Sequence, residues 1–93
     1  MIVQRHVFKA KWGCGEKLVA LLTEEWEKRG LCYRIYTPIT GPWPTVVVEG
    51  EFQSQDEREK FWAELSARPD IPAYVDKMGE VVESVDIQLL TLV

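Results

Sequence analysis

The sequence predicts an α+β domain with a four-stranded antiparallel sheet, and three observations lead to that prediction. Four stretches alternate between apolar and polar residues at period two, which is typical of strands. Two others carry apolar residues at helical spacing. Their order is strand, helix, strand, strand, helix, short helix, strand. That order is the split βαβ arrangement of ferredoxin-like folds, in which right-handed crossovers place both main helices on one face of the sheet.

Composition limits the classes of protein to consider. The 93 residues suffice for one domain, spanning 1–93. A net charge of −4 with scattered cations argues against a nucleic-acid partner. No run approaches the roughly 18 apolar residues of a membrane helix, and no signal peptide is recognisable, so we expect a cytoplasmic protein. Cys14, Cys32 and His6 match no metal-ligand spacing, so we expect no metal or cofactor and two small buried cysteines.

The first strand is predicted over Ile2–Trp12. Its even positions, including Ile2 and Phe8, are mostly apolar, whereas its odd positions place Arg5 and Lys9 among valines. Successive side chains of a strand point to opposite faces. We therefore expect this strand to be covered on both sides, by helices on the even face and by something else on the odd face.

The first helix is predicted over Glu16–Arg29, after a turn that glycines on both sides of Cys14 permit. Leu18, Leu22 and Trp26 form its apolar stripe, and Gly30 is placed to end it. Two acid–base pairs at spacing four are predicted on its exposed face, Glu24–Lys28 and Glu25–Arg29.

The remaining elements follow from the same patterns. Strands are predicted over Leu31–Thr37, Thr45–Phe52 and Ser84–Val93, and Pro38–Pro44 is predicted as the loop of a hairpin. Ser54 and Glu57 fit a capping box for a helix that runs to about Ala67, with Phe61, Trp62 and Leu65 on its apolar stripe. Pro72 suits the first turn of a shorter helix that carries Tyr74, Met78, Val81 and Val82.

Strand parity divides the sheet into two faces. The face under the helices is predicted to hold Ile2, His6, Phe8, Tyr33, Ile35, Val46, Val48, Phe52, Val85, Ile87 and Leu89. The other is predicted to hold Val3, Arg5, Val7, Lys9, Arg34, Tyr36, Val47, Glu49, Glu51, Gln88, Leu90 and Leu92. This second face is too apolar for water and too charged for an ordinary core. A second copy packed on it would bury the apolar part, and its charges would pair. We therefore expect a homodimer through the helix-free face.

Three stretches carry a family resemblance: MIVQRHVFKAKWGCGEKLVALLTEEW, GPWPTVVVEGEF and SQDEREKFW. In pattern and order they resemble NIPSNAP-like proteins of the dimeric α/β-barrel superfamily. The resemblance implies a ferredoxin-like fold and a sheet-to-sheet homodimer. Superfamily relatives include cofactor-independent oxygenases, isomerases and haem-degrading enzymes, and many small members have no assigned reaction.

The candidate site is the charged cluster on the helix-free face. Arg5, Lys9, Arg34, Glu49 and Glu51, with Tyr36, are predicted either to bind a small polar or anionic ligand or to form a structural network that fixes the dimer. Trp12 and Trp43 are placed either to border a cavity between the sheets or to pack in the interface. No catalytic residue is predicted.

His6 has two interpretations. It is either a proton shuttle or haem ligand, or a buried histidine of the helix-covered face with its hydrogen bonds satisfied. Two functions therefore stay open: a binding or structural module, and a cofactor-independent oxygenase or isomerase acting on a small hydrophobic or aromatic molecule. The enzyme requires an enclosed pocket with an unpaired titratable group, whereas the structural module requires that the charged cluster saturates itself.

Overall fold

The computed structural model describes residues 1–39 and 44–93. Within these ranges the chain forms seven elements, in order β1 (Ile2–Ala10), α1 (Gly15–Arg29), β2 (Tyr33–Tyr36), β3 (Thr45–Phe52), α2 (Gln55–Ala67), α3 (Ile71–Val81) and β4 (Val82–Thr91). The predicted loop Pro38–Pro44 lies partly outside the described residues, because these omit 40–43.

The four strands form one sheet in the order β2-β3-β1-β4, and every neighbouring pair is antiparallel. This is the predicted ferredoxin-like arrangement, which the structure confirms. The register places Arg5 of β1 opposite both Glu49 of β3 and Gln88 of β4. Residues that are directly opposite share a face of the sheet, so the division of side chains into two faces is confirmed for residues within the strands. Leu92, which was predicted on the helix-free face, follows the end of β4 and has no strand parity.

Local signals in the sequence explain where the helices begin and end. Gly30 has φ of 68° at the end of α1, a left-handed conformation that glycine adopts without strain. The hydroxyl of Ser54 accepts a hydrogen bond from the backbone N–H of Glu57 at 3.2 Å, as the first half of a capping box requires. The Glu57 carboxylate accepts from the N–H of Gln53 instead of that of Ser54. Pro72 lies in the first turn of α3, where its missing N–H costs nothing.

The core lies between α1 and the centre of the sheet. Leu18, Leu22 and Trp26 are buried against Phe8 and Val48. Trp26 packs so closely on β3 that a Cβ added at Gly50 would lie 2.6 Å from its Cζ3 atom. This contact explains a glycine in the middle of a strand, because a larger residue there would displace the indole ring.

Strand β4 differs from the prediction. Val85, Ile87 and Leu89 lie on the helix side, as predicted, but they are 44%, 54% and 48% exposed. The helices lie over β1 and β3, where Phe8 and Val48 are buried, and they leave the edge strand largely uncovered. Parity identifies the face of a side chain but does not indicate how far the helices extend across the sheet.

Three smaller expectations are also corrected. β1 ends at Ala10, so Trp12 lies in the following turn and has no strand parity. Cys32 is exposed and Cys14 is half-buried, and both are free thiols. The pair Glu25–Arg29 forms, but it is buried instead of exposed, with side chains only 4% and 6% accessible.

In the part of the chain that the structure describes, no helix has the length and apolarity needed to cross a membrane.

Candidate functional site

The helix-free side of the sheet, here called the open face, brings together most of the predicted site residues. The register places these side chains on it: Val3, Arg5, Val7, Lys9, Arg34, Tyr36, Val47, Glu49, Glu51, Gln88 and Leu90. No helix of the described ranges covers this side, and none of these residues reaches full burial.

Glu49 is the centre of the polar contacts on the open face. Arg5 donates to its Oε2 atom from Nε at 2.7 Å and approaches the same oxygen with Nη2 at 2.6 Å. Tyr36 donates its hydroxyl to Oε1 at 3.0 Å. The three side chains come from β1, β3 and β2, which lie side by side in the sheet. Both carboxylate oxygens are therefore in use.

The pKa of Glu49 reflects these contacts. Burial by itself raises the pKa of this carboxyl group, whereas the hydrogen bonds from Arg5 and Tyr36 lower it, and the net result is a pKa below the usual value. Glu49 therefore stays ionised at neutral pH, which suits a permanent ion pair better than an acid or base catalyst.

The other predicted residues are less closely joined. Lys9 approaches Glu83 at 3.6 Å, not Glu49 or Glu51, and both partners are more than half exposed. The register places Arg34 opposite Glu49. Tyr36 and then Glu51 raise the pKa of the Arg34 guanidinium.

The predicted tryptophans are not part of this cluster. Trp12 is 88% exposed in the turn after β1 and does not line the depression at the centre of the open face. Trp43 lies outside the described residues.

A depression of about 470 Å³ lies at the centre of the open face. Its lining combines apolar and polar side chains, namely Arg5, Val7, Tyr36, Val47, Glu49 and Gln88. Three of the predicted site residues line it, whereas Lys9, Arg34, Glu51 and Trp12 do not.

The covered face holds a polar cluster that the sequence analysis missed. Gln4 is 1% exposed and belongs to β1. Its Oε1 atom accepts hydrogen bonds from Arg58 Nε at 2.7 Å and from Trp62 Nε1 at 3.1 Å, both on α2. Its Nε2 atom lies 3.0 Å from Nε2 of His6. The even parity of Gln4 was the available signal, since a polar residue on a covered face needs partners.

The contacts of Gln4 determine which nitrogen of His6 carries the hydrogen. Arg58 and Trp62 can only donate, so the oxygen of the Gln4 amide faces them and its NH2 group faces His6. His6 Nε2 therefore accepts, and in the neutral ring the hydrogen is on Nδ1. Among residues 1–39 and 44–93, His6 Nδ1 has no hydrogen-bond partner. The expectation of a fully satisfied histidine thus holds for only one of its two nitrogens.

The surroundings of His6 keep it neutral. Burial, followed by the positive charges of Arg29 and Arg58, lowers its pKa from 6.5 to about 4. The ring stacks on Phe8 with centroids 5.8 Å apart and meets the edge of Trp26 at 5.5 Å. A neutral imidazole in aromatic surroundings is poorly suited to bind an anion as a cation would. It is well suited to donate a hydrogen bond as a neutral group.

A second ionic cluster surrounds the buried carboxylate of Glu25 on α1. Glu25 is 3% exposed, and its carboxylate accepts from Arg29 Nε at 2.7 Å and from Arg68 Nη2 at 2.9 Å. Arg68 also contacts Asp70 at 2.7 Å and lowers the pKa of that carboxyl to about 2. This cluster joins α1 to the segment between α2 and α3, and its charges balance, which indicates a structural role.

No group of three or more His, Cys, Asp or Glu side chains in the described ranges is arranged to hold a metal ion.

Solved structures with the same fold give the comparison with known proteins. An uncharacterised NIPSNAP domain protein from Burkholderia xenovorans superposes with a TM-score of 0.87 at 16% identity, over 100% of this chain and 95% of that one. A NIPSNAP family protein from Agrobacterium tumefaciens gives 0.85 at 18% identity, over 99% and 92%. A putative antibiotic biosynthesis monooxygenase from Deinococcus radiodurans gives 0.75 at 14% identity, over 100% and 93%.

No family model matches the sequence, and no curated protein matches it. Identities below 20% establish a common fold and not a common function. The resemblance to NIPSNAP-like proteins is confirmed at that level: the chain has the ferredoxin-like fold of the NIPSNAP domain proteins.

Proposed function

We propose that this chain is a NIPSNAP-like binding module that forms a homodimer through its open face. The observation that carries the proposal is the open face itself, which spans β2 to β4 without a covering layer although Val3, Val7, Val47 and Leu90 lie on it. Uncovered apolar surface of this extent is typical of an interface.

The charges of the open face favour a second copy as the partner. The face carries three cations, Arg5, Lys9 and Arg34, and three acids, Glu49, Glu51 and Asp86. The open face therefore has no excess of negative charge that would attract a strongly basic partner, and no excess of positive charge that would attract a strongly acidic one. A two-fold axis, in contrast, brings each patch against its own copy, so a face with balanced charge complements itself.

The exposed side chains of β4 support the same partner. Leu90 is 36% exposed on the open side, and Val85, Ile87 and Leu89 are about half exposed on the helix side. An apolar edge strand invites association unless it is covered. We infer that the dimer covers part of this strand in addition to the open face.

The charged cluster then has a structural role in the dimer. Because both oxygens of Glu49 are occupied by Arg5 and Tyr36, no unpaired charge is left at the centre of the depression for an anion. The second copy would enclose the depression of about 470 Å³, and a small polar ligand is the class that its mixed lining suits. The proposal includes a cytoplasmic location, which the exposed free thiol of Cys32 supports.

Sedimentation velocity at micromolar concentration tests the dimer. Wild-type protein is expected to sediment with twice the mass of the chain, and Val47→Asp at the centre of the open face is expected to be monomeric because a buried, unpaired carboxylate is costly. Ala20→Asp, on the exposed surface of α1, is the matched control and should remain dimeric. A monomeric wild-type protein, or a Val47→Asp variant that stays dimeric, would exclude the proposal.

A second candidate function is turnover of a small hydrophobic or aromatic molecule without a bound cofactor. Two observations favour it: the similarity in fold to a putative antibiotic biosynthesis monooxygenase, and a titratable group, His6, that lines a cavity and whose Nδ1 atom has no partner among the described residues. Oxygen uptake with hydroquinone, measured against the rate without protein, tests the oxygenase version. An unchanged rate counts against it.

A further inference from the structure

Strand β4 forms a long and exposed edge of the sheet. Among the described strands, the order β2-β3-β1-β4 leaves one side of β2 and one side of β4 without a neighbour. β2 has only four residues, whereas β4 has ten, and all of those from Glu83 to Thr91 are exposed. The backbone N–H and C=O groups along such an edge are available to another strand.

The residues of β4 do not protect this edge. Natural edge strands are kept apart by their short length, by lysine or proline, or by a bulge. Residues 82–91 include neither lysine nor proline, and the register with β1 is regular from Ile2 to Lys9. On the helix side, Val85, Ile87 and Leu89 form a stripe that is about half exposed. The proposed dimer lies on the opposite side of the sheet, so this stripe is left to another partner.

The residue pattern of β4 complements itself. Two copies of β4 can run antiparallel about a two-fold axis through Ile87, which then faces its own copy. Val85 faces Leu89 of the second copy, so apolar side chains meet on the helix side. Asp86 faces Gln88 of the second copy on the open side, where the amide can donate to the carboxylate. The two-fold axis makes each of these two contacts twice.

The two neighbouring registers are less favourable. An axis through Asp86 places this carboxylate opposite its own copy, and like charges that are directly opposite destabilise a pair of strands. An axis through Gln88 places Asp86 opposite Leu90, so a charge is set against an apolar side chain. Of the three registers, only the one centred on Ile87 matches side chains on both sides of the strand.

We propose that β4 pairs with β4 of a second copy, antiparallel and centred on Ile87, so that two four-stranded sheets join edge to edge. The interface is separate from the open face, and the two interfaces together produce a dimer of dimers. The paired stretch, residues 84–90, is far smaller than the roughly 20–30 residues a side of a standard interface. The association is therefore weak and requires a higher concentration than the open-face dimer.

Sedimentation velocity between micromolar and millimolar concentration separates this proposal from that of the open-face dimer, on which it does not rest. The wild-type protein is expected to change from two chains to four as its concentration rises. Val47→Asp, which breaks only the open face, is expected to change from one chain to two. A Val47→Asp variant that stays monomeric at millimolar concentration would overturn the pairing of β4.

The variant Ile87→Lys places a cation opposite its own copy at the centre of the proposed pairing. We expect it to remain a dimer of two chains at every concentration and to make Val47→Asp monomeric when the two changes are combined. Ile39→Lys is the matched control, because the same change is made at a fully exposed isoleucine beyond β2 and should leave the assembly unchanged. An Ile87→Lys variant that still forms four chains would exclude the proposal.

Gln88→Lys tests the register in the Val47→Asp background, where only β4 associates. With the axis through Ile87, the introduced lysine faces Asp86 of the second copy, so the dissociation constant should fall about fivefold. With the axis through Gln88, the two lysines face each other and the association weakens. An unchanged or higher dissociation constant therefore contradicts the register.

Hydrogen exchange in the wild-type protein is independent of whether the variants fold. The amides of β4 that point away from β1 are expected to exchange rapidly at micromolar concentration and to become protected at millimolar concentration. Protection that is already complete at micromolar concentration would show that the open-face dimer itself covers this edge, and the proposal would then be wrong.

Discussion

The two faces of β1 hold their polar side chains in different ways. On the open face, Arg5 is charged, is 39% accessible and is matched with Glu49, whose oxygens are both occupied. On the covered face, His6 is neutral and buried, and its Nδ1 atom has no hydrogen-bond partner in the part of the chain that the structure describes. The charged group is therefore held by an ion pair at the surface, whereas the neutral group is held by burial and one hydrogen bond.

The same comparison extends to the two carboxylates that bind arginines. Glu25, on α1, is 3% exposed and contacts Arg29 and Arg68. Glu49, on the open face, has a side chain that is 16% accessible and contacts Arg5. Both carboxylates bind arginine side chains, but Glu25 is more deeply buried than Glu49. Removing these two charges should therefore lower the free energy of unfolding by different amounts.

The largest effect is expected from Glu25→Gln. It leaves Arg29, only 6% accessible, without its carboxylate, and it removes one of the two carboxylates that bind Arg68. Breaking a buried ion pair in this way costs about 3–5 kcal/mol in the free energy of unfolding, measured by urea denaturation. Glu24→Gln is the matched control, because its pair with Lys28 at 3.6 Å is exposed and is worth about 0.5 kcal/mol or less. Similar losses in the two variants would contradict the structural role of the Glu25 cluster.

A smaller effect is expected from acid acting on His6. The folded protein has a pKa of about 4 for His6, compared with 6.5 for the ordinary side chain. Between these values the unfolded chain binds a proton that the folded chain does not, so the free energy of unfolding falls as the pH is lowered from 6.5 towards 4. At 1.36 kcal/mol per pKa unit, the loss amounts to about 3 kcal/mol over the whole interval.

Urea denaturation at pH 7, 6 and 5 measures this slope. The window lies above the range in which carboxyl groups with lowered pKa values, such as Glu49 and Asp70, take up protons, so those groups do not obscure it. In His6→Phe the slope between pH 6.5 and 5 should disappear. A wild-type stability that is independent of pH in this window would show that His6 is not held neutral by its surroundings.

The smallest effect is expected from Glu49→Gln at a protein concentration low enough to keep the chain monomeric. The pair with Arg5 is then open to solvent on one side, so its loss should cost about 1 kcal/mol or less. At high concentration the same variant should lose more, because the proposed dimer buries the pair. A loss in the monomer as large as that of Glu25→Gln would show that the open face is already shielded within one chain.

Several features of the fold and of the open face could be predicted from the sequence. The alternation of Arg5 and Lys9 with Gln4 and His6 assigned them to opposite faces, and Ser54 and Gly30 identified helix ends. These signals are local: period two, period 3.6 and capping chemistry involve residues within a few positions of one another. The patterns predicted only that Arg5, Lys9 and Arg34 pair with Glu49 and Glu51 as a group. The structure pairs Arg5 with Glu49 and brings Lys9 to Glu83, because individual partners depend on the register between strands.

The polar cluster of the covered face could not be predicted in this way. Its hydrogen-bond chain joins Gln4 to Arg58 and Trp62, more than fifty positions away, and the tautomer of His6 depends on those contacts. The buried state of Glu25 depends on Arg68, 43 positions away, and spacing alone indicated an exposed pair with Arg29.

The sequence by itself determined the ferredoxin-like order of elements, the two faces of the sheet and the residues of the open face, because these depend on local periodicity. The tertiary structure decided which polar groups are satisfied. It left Val85, Ile87 and Leu89 of β4 exposed because the helices lie over β1 and β3, and it left His6 Nδ1 buried without a hydrogen-bond partner among residues 1–39 and 44–93. Both outcomes depend on how helices pack across the sheet, which is a property of the whole chain and of no single segment.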